Sequence, residues 1–112
     1  MAQNAEGATR AVLVIVSGEP AGAEFALDAE ETLIGRGPSS DVVLGDESAS
    51  REHAIVARDD AEGTYTVEDL QSTNGTRVNG KRVRTATLAD GDEVQIGHTR
   101  FRFFFAPRVA PE

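Results

Sequence analysis

The sequence contains no cysteine and no tryptophan, and it has only two histidines in 112 residues. The absence of cysteine excludes a thiolate nucleophile, a disulfide scaffold and a cysteine-based zinc site, and it favours a reducing, cytoplasmic location. The histidines, His53 and His98, lie far apart and form no metal-binding motif, so we expect no metal and no cofactor. The longest apolar run, residues 11–16, is much shorter than a segment that spans a bilayer.

Positive charge is also scarce, since 11 lysines and arginines stand against 19 aspartates and glutamates, for a formal net charge of −8. Such a surface repels nucleic acid and anionic membranes, so we predict neither as a partner. The cations are unevenly spread, because residues 71–84 contain no acid and four basic residues, Arg77, Lys81, Arg82 and Arg84. This local excess of positive charge suits a small anionic ligand better than a long polyanion.

Length and composition are typical of one globular domain, with 39% hydrophobic and 27% charged residues. Residues 1–10 are small and polar without periodicity, which predicts a flexible N-terminal tail. Residues 106–112 contain two prolines and are predicted to be a C-terminal tail or linker. The folded domain is therefore expected at residues 11–105.

Apolar residues recur at every second position in short runs, as in Tyr65 and Val67 or Phe101 and Phe103. No segment carries a sustained helical stripe, and the runs are separated by turn formers, among them the pairs 74–75, 79–80 and 90–91. Asn-Gly and Asp-Gly pairs of this kind are typical of tight hairpins. The pattern predicts an all-β antiparallel sandwich whose connecting loops gather at its ends.

Three of the predicted loops, at residues 35–41, 46–52 and 71–80, are rich in arginine, hydroxyl and amide side chains. A phosphate monoester carries roughly −1.5 to −2 charge and three acceptor oxygens, so its binding site needs guanidinium, hydroxyl and backbone N–H donors. The loops supply such donors at Arg36, Ser50, Arg51, Ser72, Thr73 and Asn74. A loop-borne site for a phosphorylated ligand is the chemistry that these residue types indicate.

The order and spacing of several motifs closely resemble the forkhead-associated (FHA) domain family. The motifs are LIGR at 33–36, SREH at 50–53, DLQSTNGTRVNG at 69–80, DGD at 90–92 and IG at 96–97. The resemblance runs over nearly the whole chain, from residue 11 to residue 105. It implies an FHA-type β-sandwich that binds phosphothreonine peptides through loops at one end, downstream of a Ser/Thr kinase, and that regulates a fused or partner protein.

The resemblance also implies roles for five binding residues. Arg36 and Ser50 would contact the phosphate oxygens, and Arg51 and Thr73 would assist them. Asn74 would hydrogen-bond the peptide main chain beside the phosphothreonine.

Four further residues are expected to support the site rather than touch the ligand. Gly35 and His53 would be architectural, His53 through hydrogen bonds between the recognition loops. Gly75 would permit a turn, and Asn79 would be mainly structural. The sequence departs from the family at Gln71, where glycine is common.

Two other functions compete with phosphopeptide binding. An enzyme could use Ser50 and His53 as nucleophile and base, but no nucleophile elbow or oxyanion hole accompanies them, so we predict that the protein is not an enzyme. A phospho-independent interaction or dimerisation module is the main alternative. Thr9, once phosphorylated, would also be a candidate ligand for the protein's own site, although an inert tail is the simpler interpretation.

Overall fold

The computed structural model describes residues 9–107 of the chain, and the side chains of residues 10–105. This part of the chain contains eleven strands, and it contains no helix that could cross a membrane. The strands are β1 (Thr9–Ser17), β2 (Glu24–Ala26), β3 (Glu31–Gly35), β4 (Val42–Val43), β5 (Ala54–Asp59), β6 (Thr64–Asp69), β7 (Thr76–Val78), β8 (Lys81–Val83), β9 (Thr85–Thr87), β10 (Glu93–Ile96) and β11 (Thr99–Pro107).

Two sheets form a sandwich, which confirms the predicted all-β fold. The first has the order β2-β1-β11-β10-β7-β8 and the second β4-β3-β5-β6-β9. The strand pairings are antiparallel except for β3–β4, which is parallel at Ile34↔Val42 and Gly35↔Val43. The short β4 is held beside β3 by Asp41, whose backbone N–H donates to the Leu33 carbonyl and whose carboxylate accepts the Leu33 N–H.

Alternate residues of the strands point into one core between the sheets, as the period-two pattern predicts. In β11 the phenyl rings of Phe101 and Phe103 are fully buried, and burial of such a ring contributes about 1.5–3 kcal/mol. Tyr65 on the opposite sheet packs against Phe103 with ring centroids 5.7 Å apart. The other large buried members include Leu13, Ile15, Leu27, Ile34, Val56, Val67, Val94 and Ile96.

The first and last strands of the described residues pair with each other. Strand β1 begins at Thr9 and β11 ends at Pro107, and these two residues are partners in the β1–β11 register. The remainder of the predicted tails, at residues 1–8 and 108–112, lies outside the described residues. The side chain of Thr9, the candidate self-ligand, lies outside them as well.

Candidate functional site

The β3–β4 and β4–β5 loops are joined through their backbones. The N–H of Arg36 donates to the Ser50 carbonyl at 2.9 Å, and the N–H of Gly37 donates to the Arg51 carbonyl at 3.0 Å. A Cβ built on Gly35 would collide with the Arg51 carbonyl oxygen and lie 2.8 Å from its carbonyl carbon. Only glycine therefore permits the close approach that sets the Gly35–Arg36 corner against the Ser50–Arg51 backbone.

The side chain of Arg36 uses one guanidinium nitrogen in a hydrogen bond to the backbone and leaves the other two available to a ligand. Its Nε donates to the carbonyl of Ala49 at 3.0 Å, which fixes the plane of the guanidinium group. The residue is exposed, and its two terminal nitrogens have no hydrogen-bond partner among residues 9–107. A guanidinium held in this way presents a preorganised pair of donors to an anion.

Ser50 connects the β4–β5 loop to the β6–β7 loop. Its Oγ accepts the backbone N–H of Thr73 at 3.0 Å, so its hydroxyl proton remains available for an acceptor on a ligand. Asn74 makes a parallel link, because its Nδ2 donates to the Ser48 carbonyl at 2.7 Å. That bond turns the Asn74 side chain towards the β4–β5 loop and leaves its Oδ1 without a described partner.

His53 lies beneath these loops and is fully buried. Its Nδ1 accepts the Ser50 N–H at 3.0 Å, and its Nε2 lies 2.9 Å from the Gly75 carbonyl oxygen. A carbonyl can only accept, so the geometry assigns the Nε2–H tautomer. Both ring nitrogens therefore form hydrogen bonds with backbone groups. The Nδ1 atom bonds the Ser50 backbone N–H and not the Ser50 hydroxyl. This arrangement does not form a Ser–His nucleophile–base pair.

The β6–β7 loop is shaped around the carboxylate of Asp69. The carboxylate accepts hydrogen bonds from the Ser72 hydroxyl and backbone N–H and from the Thr76 hydroxyl. Burial raises the pKa of the Asp69 carboxyl, but the bonds from Ser72 and Thr76 outweigh burial, so the pKa lies below its ordinary value. Ser72 also accepts the Gly75 N–H at 2.9 Å. Ser72 is therefore buried inside the loop and does not face a ligand.

A second carboxylate ties the β4–β5 loop to the β10–β11 turn. Asp46 accepts hydrogen bonds from the Ser48 N–H, from the His98 N–H at 2.8 Å and from the Thr99 hydroxyl at 2.8 Å. Burial would raise the pKa of Asp46 from 3.8, but the bonds from Ser48, Thr99 and His98 lower it to about 2. His98 and Thr99 lie 52 and 53 positions after Asp46 in the sequence, so the sequence motifs did not predict these two contacts.

All five residues predicted to bind the ligand line one open depression of about 400 Å³, which we call the loop cleft. Glu47, Ser48 and Ala49 complete its lining beside Arg36, Ser50, Arg51, Thr73 and Asn74. Sequence reasoning did not single out Glu47, an exposed acid on the rim, or Ser48, although both lie within the loop at residues 46–52. The cleft is polar and small, and two of its three charges are positive, which suits one phosphate group.

Asn79 does not reach the loop cleft through its hydrogen bonds. It occupies the β7–β8 turn with φ 53°, and its side-chain amide bonds Asp92 and the N–H of Glu93 at 3.0 Å each. These bonds attach the hairpin to the start of β10. The residue therefore supports the sheet next to the loop cleft.

The model of the FHA domain family matches residues 32–97, a range that contains all three loops of the cleft. The chain belongs to the FHA domain family. Among curated proteins it is similar to an oxoglutarate dehydrogenase inhibitor from Corynebacterium diphtheriae, with 45% identity over 88% of this chain and 67% of that protein. It is equally similar to the glycogen accumulation regulator GarA from Mycolicibacterium smegmatis, with 45% identity over 88% of this chain and 61% of that protein.

The fold is also that of solved FHA domains. A structure described for its phosphothreonine-dependent FHA domain interactions superposes with a TM-score of 0.76 at 32% identity, covering 92% of this chain and 99% of that one. This chain spans about 61% of the length of the GarA protein that it matches. The curated relatives are named as an inhibitor and a regulator rather than as enzymes.

Proposed function

We propose that this FHA domain binds phosphothreonine-containing peptides made by a Ser/Thr kinase and thereby regulates a fused or partner protein. The observation that carries the proposal is the convergence of Arg36, Ser50, Arg51, Thr73 and Asn74 on the loop cleft. Arg36 and Ser50 supply the donors to the phosphate, and Arg51 and Thr73 add to them. Asn74 Oδ1 accepts a backbone N–H of the peptide beside the phosphothreonine.

The affinity that such a site provides is modest. Each hydrogen bond to the charged phosphate contributes about 1.5–3 kcal/mol. Three or four such bonds, less the cost of ordering a flexible peptide, leave a dissociation constant on the order of micromolar. Selection of phosphothreonine over phosphoserine rests on one methyl group, which supports roughly 10- to 200-fold discrimination at most.

Regulation by binding, and not by catalysis, is supported by two features. The relatives bear the names of an inhibitor and a regulator. In this chain both nitrogens of His53 are occupied by the Ser50 amide and the Gly75 carbonyl, so neither is free to act as a base. A cytoplasmic location belongs to the same proposal, because a Ser/Thr kinase that makes the ligand draws on intracellular ATP.

Calorimetric titration with matched phosphothreonine, phosphoserine and unphosphorylated peptide libraries tests the proposal. We expect micromolar binding of the phosphothreonine library alone. Arg36→Ala should weaken it by about 2–5 kcal/mol, because a phosphate loses its preorganised donors. Lys81→Ala, which removes an exposed charge on the β7–β8 hairpin, is the control and should bind normally. Equal binding of all libraries would instead support a phospho-independent interaction module.

A further inference from the structure

Two arginines face each other on the β7–β8 hairpin without a counter-charge. Arg77 and Arg82 are direct partners in the antiparallel register, and both are exposed. Like charges placed opposite each other on one face of a sheet destabilise it. Neither guanidinium has an acidic or hydrogen-bonding partner among the residues that the structure describes. The pair therefore has open donors on a face where an anion would relieve the repulsion.

Arg82 is seated against the loop that holds Asn74. A Cβ built on Gly75 would lie 2.5 Å from the Arg82 Nε and 2.8 Å from its Cζ, and Gly75 has φ 87°. The missing side chain at position 75 thus provides the space that the Arg82 guanidinium occupies. This contact places the Arg82 charge beside the backbone of Gly75 in the β6–β7 loop. Gly75 directly follows Asn74, the residue proposed to hydrogen-bond the peptide main chain.

Arg77 lines a second depression beside the first. This side cleft has a volume of about 350 Å³ and is lined by Ser48, Asn74, Arg77, Gln95, Gly97 and His98. It shares Ser48 and Asn74 with the loop cleft, so the two form a continuous surface. Arg77 follows Asn74 by three positions, which limits the separation of their Cα atoms to roughly 11 Å. An extended peptide covers that distance in about three residues.

We propose that Arg77 and Arg82 form a second anion site, which takes an anionic side chain of the ligand about two to four residues from the phosphothreonine. The proposal rests on the proposed function of the loop cleft and assigns the sequence preference of the same ligand. The shared chemistry is an anionic group with two or three acceptor oxygens, supplied by Asp or Glu or by a second phosphate. Guanidinium groups bind such anions through paired hydrogen bonds, and the Arg77–Arg82 register pair supplies two of them from one face of the hairpin.

The hairpin itself supplies a matched control. Lys81 carries the same charge one residue from Arg82, but alternation along β8 places it on the other face, where its register partner is Val78. It lies at the turn end of the hairpin, next to Gly80 and away from Gly75. Removal of the Lys81 charge changes the net charge of the domain as much as removal of one arginine charge, without touching the pair.

The test compares peptides that share one phosphothreonine and differ in a block two to four residues from it. The block contains glutamates, phosphoserine or glutamines, and each peptide is made with the block before and after the phosphothreonine. Wild type, the double variant Arg77→Gln/Arg82→Gln and Lys81→Gln are titrated at low and high salt. We expect wild type and Lys81→Gln to bind an anionic peptide about 5- to 10-fold more tightly than the glutamine peptide at low salt. The double variant should lose this preference while it keeps its affinity for the glutamine peptide.

The glutamine peptide separates the two proposals. If neither the glutamine peptide nor any other phosphothreonine peptide binds wild type, the proposed function of the loop cleft is wrong. If the glutamine peptide binds wild type as tightly as the anionic peptides, only the second anion site is overturned. A preference that survives in the double variant overturns it too, because other residues would then read the anion. The glutamate and phosphoserine arms show whether the site takes a carboxylate or a phosphate.

Discussion

The Nδ1 atom of His53 accepts the backbone N–H of Ser50 at 3.0 Å, so a fully buried ring sets the position of a proposed phosphate-binding residue from below. The same ring reaches the Gly75 carbonyl through Nε2 at 2.9 Å. One imidazole therefore holds the β4–β5 loop, which connects two strands of the second sheet, to the β6–β7 loop, which leads from the second sheet to the first. The ring therefore fixes the backbone of Ser50 relative to the backbone of Gly75, the residue after Asn74.

Replacement of His53 by alanine should lower both stability and ligand affinity. The change leaves the Ser50 N–H and the Gly75 carbonyl without partners and opens a cavity, which together cost about 2–4 kcal/mol of unfolding free energy. Urea denaturation measures the loss, and phosphopeptide titration of the remaining folded protein measures the weaker binding. His98→Ala removes an exposed imidazole and is the control for the stability measurement. Wild-type affinity in a folded His53→Ala variant would contradict the positioning role.

Two glycines, Gly35 at the end of β3 and Gly45 in the β4–β5 loop, should respond differently to substitution by alanine. In Gly35→Ala the new methyl group would overlap the Arg51 backbone, which cannot rotate away. We expect a loss of about 2–4 kcal/mol and weakened phosphopeptide binding, because the Arg36 corner must shift. Around Gly45 a Cβ meets no atom within 4 Å, so Gly45→Ala should be nearly neutral. Thermal unfolding of both variants checks the contrast, and similar losses in both would show that steric overlap is not the cause.

Turn chemistry was predictable from the sequence where the contacts are local. The pair Asn79–Gly80 closes the β7–β8 hairpin with φ values of 53° and 84°, as an Asn-Gly pair is expected to do. The equally strong signals at 74–75 and 90–91 instead join one sheet to the other, since β6 and β9 lie in the second sheet and β7 and β10 in the first. A local pair specifies positive φ, but the partner of the next strand depends on tertiary packing.

In the candidate site, too, the sequence predicted local motifs but not the contacts that depend on the folded structure. The motifs identified five of the eight residues that line the loop cleft, because family spacing is recorded in the sequence, but they missed Glu47 and Ser48. They did not reveal that Asp46 would meet Thr99 across 53 positions, or that Arg82 would fill the space above Gly75. The first contact arises when segments far apart in the chain become neighbours, and the second depends on where a side chain lies across the β7–β8 hairpin. Periodicity and motif spacing do not encode such pairings.

Low pH should reduce the free energy of unfolding, because the Asp46 carboxylate becomes protonated. Its pKa is about 2 in the folded protein against 3.8 for an ordinary aspartate. As the pH falls, the unfolded state is therefore protonated at this carboxyl before the folded state is. The stabilisation is fully present above about pH 4 and is lost as pH falls towards 2. Asp69, whose pKa is also lowered, acts in the same direction.

The pH dependence of unfolding free energy in Asp46→Asn should therefore be flatter than that of wild type between pH 4 and 2. Denaturant titrations at several pH values measure the two slopes. At neutral pH the variant should already be less stable, because an amide has a single acceptor oxygen, whereas Asp46 accepts from Ser48 at Oδ1 and from His98 and Thr99 at Oδ2. Glu62→Gln, at an exposed position, should keep the wild-type slope. Equal slopes in wild type and Asp46→Asn would assign the acid sensitivity to other groups.

Gln71 adopts φ 57°, the left-handed conformation that glycine tolerates and other residues adopt at a cost of roughly 1–2 kcal/mol. Glycine at this position removes that cost but makes the unfolded chain more flexible, so part of the gain is offset. We expect Gln71→Gly to be more stable than Gln71→Ala by about 1 kcal/mol in urea denaturation, since alanine keeps the strain. Gln71 is not among the residues that line the loop cleft, so the phosphopeptide affinity of both variants should stay within about twofold of wild type. A Gln71→Ala variant as stable as the glycine one would mean that the loop relaxes when the side chain changes, and that the strain at this position is not retained.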